Sequence, residues 1–308
     1  MSTDRNNIAV VLSGGSFLGG LSQVGFIKAI YETSVYKNID IIIGTSVGAL
    51  NGALLALGEL DLMERIWMIA QPEHVWRRRA FLEVPFSWSF NELILQDFLE
   101  TQLGLSLLEF ARRLVMAPHE LVVITNSLEE QLLDEINNIN GKRLFRIFER
   151  AYSSKHESAE TMVEAILASI SIPFVSPPRR VYDELNIDGA WLRNFPLTYA
   201  FEYPWIEVII AFWSVPEVRP IEEESILWKY LEPWTKRLRF LKSFPFIGTT
   251  IKSMQEAVER GNKGEGIFLW NLLERLMWIQ MRQRDEREMA IALEKTHDVL
   301  EFQKLYES

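Results

Sequence analysis

Residues 39–58 read IDIIIGTSVGALNGALLALG, and the fold turns on how this stretch is divided. Ile41 to Gly58 is eighteen residues without a charge, close to the length that a membrane span needs. Its internal punctuation argues for a different division. Gly44, Thr45, Ser46 and Gly48 fall together where a turn would lie, and Asn51 places an amide on the segment after it. Ile39 to Ile43 is rich in β-branched residues and suits a short buried strand, whereas Val47 to about Leu57 suits a core helix.

Working outward, Ile8 to Leu12 is a second β-branched run that ends in glycines, the mark of another buried strand. A glycine loop at 13–20 leads into Leu21–Tyr31, whose apolar spacing predicts an amphipathic helix. Strand, loop, helix, strand and helix within about sixty residues is a parallel α/β pattern. Further strands are expected at Leu121–Thr125 and Val208–Phe212, continuous apolar runs suited to a sheet covered on both faces. Helices are expected over 91–115, 128–150 and 158–169, and beyond about 222 the sequence is mostly helical. Within that region Arg282 to Glu288 reads as a solvated, charged helix face. The expected architecture is an α/β domain of parallel-sheet, Rossmann-type three-layer form over residues 1–215. A helical C-terminal extension over 216–308 packs on it.

Composition narrows the chemistry. The 308 residues carry a formal net charge of −10, which argues against wholesale nucleic-acid binding because phosphate contacts need a basic surface. There is no cysteine, so thiolate metal sites, cysteine nucleophiles and disulfides are excluded. That composition fits a reducing, cytoplasmic location, and the first residues are too glycine-rich for a secretory signal.

The pentapeptide Gly44-Thr45-Ser46-Val47-Gly48 lies between the expected strand and helix. A serine there sits on a tight turn that exposes its hydroxyl, with glycines on both sides to relieve crowding. The helix N-terminus below offers unpaired N–H groups to an oxyanion. Such a serine usually relies on histidine, yet His74 and His156 fall in polar stretches, His119 follows a proline, and His297 sits in a charged helix. Attention therefore shifts to carboxylates, of which Asp188-Gly189-Ala190 stands out, although Asp-Gly is also a common turn dipeptide. A third element is Ser13-Gly14-Gly15-Ser16-Phe17-Leu18-Gly19-Gly20, whose glycines allow backbone N–H groups to converge on an anion. That anion is a dinucleotide phosphate or a catalytic oxyanion. The spacing is a poor dinucleotide fingerprint, and the candidate acid Asp40 precedes the second strand rather than ending it.

Taken together these motifs resemble the patatin-like phospholipase family, whose members carry a glycine-rich loop, a G-T-S-x-G elbow and a D-G-A or D-G-G motif. Gly44 to Ala49, with Gly52-Ala53, matches the elbow block; Ala168-Ser169, Pro173 and Pro177 match the approach to the aspartate; Asn194 and Pro196 match the asparagine and proline downstream of it. The resemblance covers roughly residues 8–212. Ser16 and Leu18 stand where the family loop has a glycine and a basic residue.

The resemblance implies a serine lipid acyl hydrolase of phospholipase A or lysophospholipase type that works through an acyl-serine. Ser46 would be its nucleophile and Asp188 its direct base, with backbone N–H groups of Gly14, Gly15 and Ser16 as the oxyanion hole. Gly19, Gly44, Gly48 and Gly189 would support the motifs. No metal or organic cofactor is implied, and the partner is a phospholipid or another acyl-ester lipid. Competing readings are an α/β-hydrolase with a full triad, an acyltransferase using the same dyad, and a non-catalytic membrane- or partner-binding module. Residues 225–253 interleave basic and aromatic side chains, and Trp76 with Arg77 to Arg79 opens a similar stretch over 76–88. Both suit peripheral contact with a membrane surface, and equally suit aromatics packed on the core beneath solvated cations.

Overall fold

The computed structural model describes residues 7–70, 74, 76–78, 91–93, 95–131, 144–173, 175–214, 285 and 287–291. The chain divides into two compact units, residues 1–215 with 283–308, and residues 216–282. The second unit lies outside the described residues, as do most of the expected C-terminal extension and the whole 225–253 stretch. Of the 76–88 stretch, only 76–78 is described.

The first unit is built on a seven-stranded sheet. Strands β1 (Ile8–Leu12), β2 (Ile39–Thr45) and β9 (Val208–Phe212) run parallel to one another, as does the first part of β5 (Glu120–Gln131). Strands β6 (Leu144–Ser153), β7 (Arg179–Val181) and β8 (Glu184–Asp188) run antiparallel to their neighbours, so the sheet is mixed. The order is β7-β8-β5-β2-β1-β9, with β6 on the other edge of β5. A separate two-stranded ribbon pairs β3 (Trp76–Arg78) with β4 (Asn91–Leu93).

The strand period of two sorts the core into two layers. Ile8, Val10, Leu12 and Ile42 face α1 (Ser16–Tyr31), α2 (Val47–Ala56), α3 (Leu60–Ile69), α4 (Leu95–Leu103), α5 (Leu107–Met116) and α6 (Ala159–Ser169). Ala9, Val11, Ile41 and Ile43 face the opposite layer, which Phe195, Ala200 and their neighbours cover. Both sides of β1 and β2 are therefore dry, which is why those strands read as unbroken apolar runs.

Three expectations fail, the first at residue 91, where the expected helix gives way to the strand Asn91–Leu93 paired with Trp76–Arg78, and helix starts only at Leu95. The segment 128–150 was expected to be helical, but β5 continues to Gln131 and β6 begins at Leu144. Pairing of Val122–Gln131 with Ser153–Leu144 supplies a ladder that outweighs local helix propensity. The glycine loop was expected to run to residue 20, but α1 already begins at Ser16. Gly19 and Gly20 serve close packing inside that helix. A Cβ on Gly19 would come 2.9 Å from Ser214 Oγ, and one on Gly20 would run into the Trp67 ring.

Candidate active site

Strand pairing alone brings the two chief candidates together. One edge of β5 carries β6 along Val122–Gln131. Its other edge carries β2, ending at the pair Thr45–Ile124, and then β8, beginning at the next position with the pair Asp188–Thr125. Parallel β2 and antiparallel β8 thus meet end to end, with both carboxyl ends converging on the gap between Ile124 and Thr125. Ser46 follows the end of one strand and Asp188 closes the other.

Ser46 has φ 56° and ψ −125°, a left-handed conformation that a non-glycine residue rarely adopts. Its strain, of order 1–3 kcal/mol, is held in place from several sides. The Ser46 N–H donates to Ser169 Oγ at 2.8 Å, and the Ser169 hydroxyl donates to the Ile124 carbonyl at 2.7 Å. Ser169 therefore ties the turn to β5. Thr45, fully buried, donates its hydroxyl to the Arg193 carbonyl at 3.2 Å. Gly44, Gly48 and Gly189 all lie where a Cβ would strike main-chain atoms; on Gly48 it would come 2.7 Å from the Ser13 carbonyl oxygen.

The Ser46 hydroxyl donates to Asp188 Oδ2 at 2.8 Å, and the Ala190 N–H donates to Oδ1, also at 2.8 Å. Asp188 is 4% exposed. Burial pushes its pKa up to about 7, against the smaller opposing effects of the Ala190 and Ser46 hydrogen bonds. Asn126 fixes the turn beyond it, its Nδ2 donating to the carbonyls of Asp188 and Gly189 at 2.7 and 2.9 Å.

The glycine loop comes against Ser46, where a Cβ added to Gly14 would lie 3.2 Å from Ser46 Cβ. Gly14 does not match the expected oxyanion role, because its N–H already donates to the Asn194 carbonyl at 2.9 Å. Gly15 caps α1 and Ser16 opens it, so neither N–H has an intrahelical acceptor. A polar network fixes the loop from behind. Gln23 donates to the Ser13 carbonyl at 2.6 Å, Asn51 donates to Gln23 at 3.0 Å, and the Trp67 indole donates to Asn51 at 2.6 Å. On the far side Ser214 Oγ donates to the Gly14 carbonyl, and the Ser214 N–H donates to Ser13 Oγ, each at 2.8 Å.

No described histidine takes part. His119 is bonded to the Ile39 carbonyl at the opposite end of the sheet, and His74 stacks on Phe98. Among the described residues there is no cluster suited to a metal ion, and no helix is long and apolar enough to cross a membrane.

Sequence reading missed the supporting cast. In the sequence Ser169 and Asn194 stand out only as motif matches, and Asn126 and Ser214 carry no local signal at all. Asp285 corrects an expectation outright. Placed on a solvated helix face by its charged neighbours, it is 1% exposed, bonded to Asn194 and Trp213.

The geometry defines an α/β protein with a strained serine turn after its second strand and a buried carboxyl delivered by an antiparallel strand. The chain belongs to the patatin-like phospholipase family, whose model matches residues 10–201. An uncharacterized protein of Acanthamoeba polyphaga mimivirus is 28% identical over 192 residues, 61% of this chain and 60% of the viral one. Among solved structures, VipD from Legionella pneumophila shares 13% identity at a TM-score of 0.37, over 84% of this chain and 56% of its own.

Proposed function

We propose that the protein is a lipid acyl hydrolase of the phospholipase A or lysophospholipase type, with Ser46 as nucleophile and Asp188 as general base. The observation that carries the reading is the 2.8 Å hydrogen bond from Ser46 Oγ to a buried carboxyl with a raised pKa. An ordinary aspartate, with pKa about 3.9, is too weak a base for a serine hydroxyl; raising it towards neutrality brings it into the useful range. Asp188 Oδ2 takes the Ser46 proton as Oγ bonds to the ester carbonyl carbon. The oxyanion that forms is met by the N–H groups of Gly15 and Ser16 and by the positive end of α1. Collapse breaks the ester bond, and the proton on Asp188 passes to the departing alcohol. Water then attacks the acyl-serine, again giving its proton to Asp188, and the fatty acid leaves as Ser46 recovers its hydrogen.

Residues 1–215, together with the C-terminal stretch from 283, form the acyl-hydrolase domain in this reading. The lipid substrate would be met at a membrane surface, with the basic and aromatic stretches at 76–88 and 225–253 as the contact.

The test is fatty-acid release from mixed phospholipid vesicles by wild type and by Ser46→Ala. Release should vanish in the variant while its thermal unfolding stays cooperative. Residual turnover on the order of a tenth of wild type, where loss of a nucleophile removes far more, would exclude Ser46 from the role.

A further inference from the structure

Asp285 is a buried carboxyl that the dyad does not use. It lies in the short described helical segment 285 and 287–291, remote in sequence from the rest of the site. Its Oδ2 accepts from Asn194 Nδ2 at 2.7 Å and from the Trp213 indole N–H at 2.8 Å, and the Phe195 backbone N–H bonds to it as well. These three donors are neutral. Burying a carboxyl on neutral donors costs more stability than an apolar side chain in the same place. The arrangement therefore calls for something that an apolar residue could not do.

Its two side-chain partners lead to one residue. Asn194 accepts the Gly14 N–H on its own carbonyl at 2.9 Å. Trp213 precedes Ser214, whose hydroxyl donates to the Gly14 carbonyl at 2.8 Å. Both polar groups of Gly14 are thus held by segments that converge on a single carboxyl. Asp285 anchors the Asn194 side chain through its amide nitrogen, whereas Asn194 Oδ1 is buried without a hydrogen-bond partner among the described residues. That oxygen lies against Gly14, 2.5 Å from where a Cβ would be. Gly14 immediately precedes Gly15 and Ser16 and lies against Ser46, since a Cβ added to it would come 3.2 Å from Ser46 Cβ.

We infer that Asp285 is a positioning residue for the reaction, clamping Asn194 and Trp213 so that the glycine loop presents its N–H groups to the ester carbonyl. One turn further on, Glu288 accepts from the Thr198 N–H at 3.1 Å and from Arg193 and Thr198 Oγ1. It fastens the same helical segment to residues beyond the loop. Glu288 is the natural control, since it holds the segment without touching the partners of Gly14.

The inference rests on the hydrolase reading above, and the experiment separates the two. Turnover of a soluble acyl ester is measured for wild type, Asp285→Ala, Asp285→Asn, Trp213→Phe and Glu288→Gln, each normalised to sites titrated with a fluorophosphonate. Asp285→Ala should lower kcat per titrated site about a hundredfold, the scale for a lost oxyanion donor, with KM within about twofold of wild type. Asp285→Asn keeps an acceptor oxygen in place and should recover most of that loss. Trp213→Phe, which removes one donor, should fall between them, and Glu288→Gln should lower the melting temperature while keeping kcat per site. Wild-type kcat per titrated site in Asp285→Ala would overturn the inference, as would an Asp285→Asn that folds yet is as slow as Asp285→Ala. Should Asp285→Ala fail to fold, wild-type kcat per site in Trp213→Phe would overturn it equally. A wild type that neither turns over nor labels removes the dyad reading itself, a different result from an active wild type with indifferent variants.

Discussion

Asp188→Asn should make the protein more stable in neutral and alkaline solution while abolishing hydrolysis. The carboxyl is buried, with the Ser46 hydroxyl and the Ala190 N–H as its hydrogen-bond donors, and burial raises its pKa to about 7. A folded-state pKa above the usual value means that folding favours the protonated form. The stability tied to that proton is fully present below about pH 4 and is lost as pH rises through about 7. The gap of about three pH units corresponds to about 4 kcal/mol at pH 8, taking about 1.4 kcal/mol per unit. An asparagine has the same shape, can accept from Ala190 through its oxygen and can donate to Ser46 Oγ, and carries no charge to desolvate. The variant should therefore gain up to about 4 kcal/mol over wild type at pH 8 and almost nothing at pH 4. For a domain of this size, about 2–4 °C per kcal/mol makes that a rise of roughly 10 °C in melting temperature. Scanning fluorimetry of both proteins at pH 4, 6 and 8 isolates the effect, because every other titrating group cancels in the comparison. A stability difference that does not change between pH 4 and pH 8 would refute the desolvation argument, as would a variant less stable than wild type at pH 8.

In the proposed mechanism the ionised form of Asp188 is the active one, so kcat/KM should climb from pH 5 to pH 8 with an inflection near 7. A profile flat across that range would mean that the group taking the serine proton titrates elsewhere. Gly48→Ala presses a Cβ against the main-chain carbonyls of Leu12 and Ser13. With backbone on both sides and nothing able to swing away, it should cost on the order of 1–3 kcal/mol. A melting temperature within about 1 °C of wild type, where even the smallest such cost predicts a larger drop, would show that β1 and α2 can part to admit it.

The serine turn was legible because its signals are local. Gly44, Ser46 and Gly48 fall within five consecutive positions, and the strand and helix that flank them differ sharply in pattern. Asp188 was legible as a motif, while its partnership with Ser46 depends on β2 and β8 sharing an edge of β5, a relation of pairing that no local window contains. The hairpin of β5 and β6 was misread for a related reason. Leu128-Glu129-Glu130-Gln131-Leu132-Leu133 is made of good helix formers, and the pairing with β6 that claims its first four residues is visible only in the folded sheet. Asp285 was the least legible of all. Its neighbours Arg282, Arg284, Glu286 and Arg287 make a charged stretch whose usual place is in solvent, and its partners are separated from it by 91 and 72 positions.

The absence of histidine from the pair follows from the same strand geometry. Thr45 and Asp188 pair with successive residues of β5, so the hydroxyl and the carboxyl meet directly and leave no room for an imidazole between them. In the proposed mechanism direct contact removes the relay but demands a stronger base, and the burial that closes the gap is also what raises the carboxyl pKa. Register is accordingly the quantity the fold must guard. A slip of one residue in β8 would turn Asp188 to the other face of the sheet and bring Ile187 or Gly189 opposite Thr125. The Asp188 N–H bonded to the Ser171 carbonyl at 2.9 Å, together with the two bonds from Asn126 to the carbonyls of Asp188 and Gly189, pins the strand at its last residue. On the other side of the gap the bond between Ser46 N–H and Ser169 pins the turn to Ile124. Two main-chain anchors, one on each side of a single step along β5, thus fix a contact made by side chains.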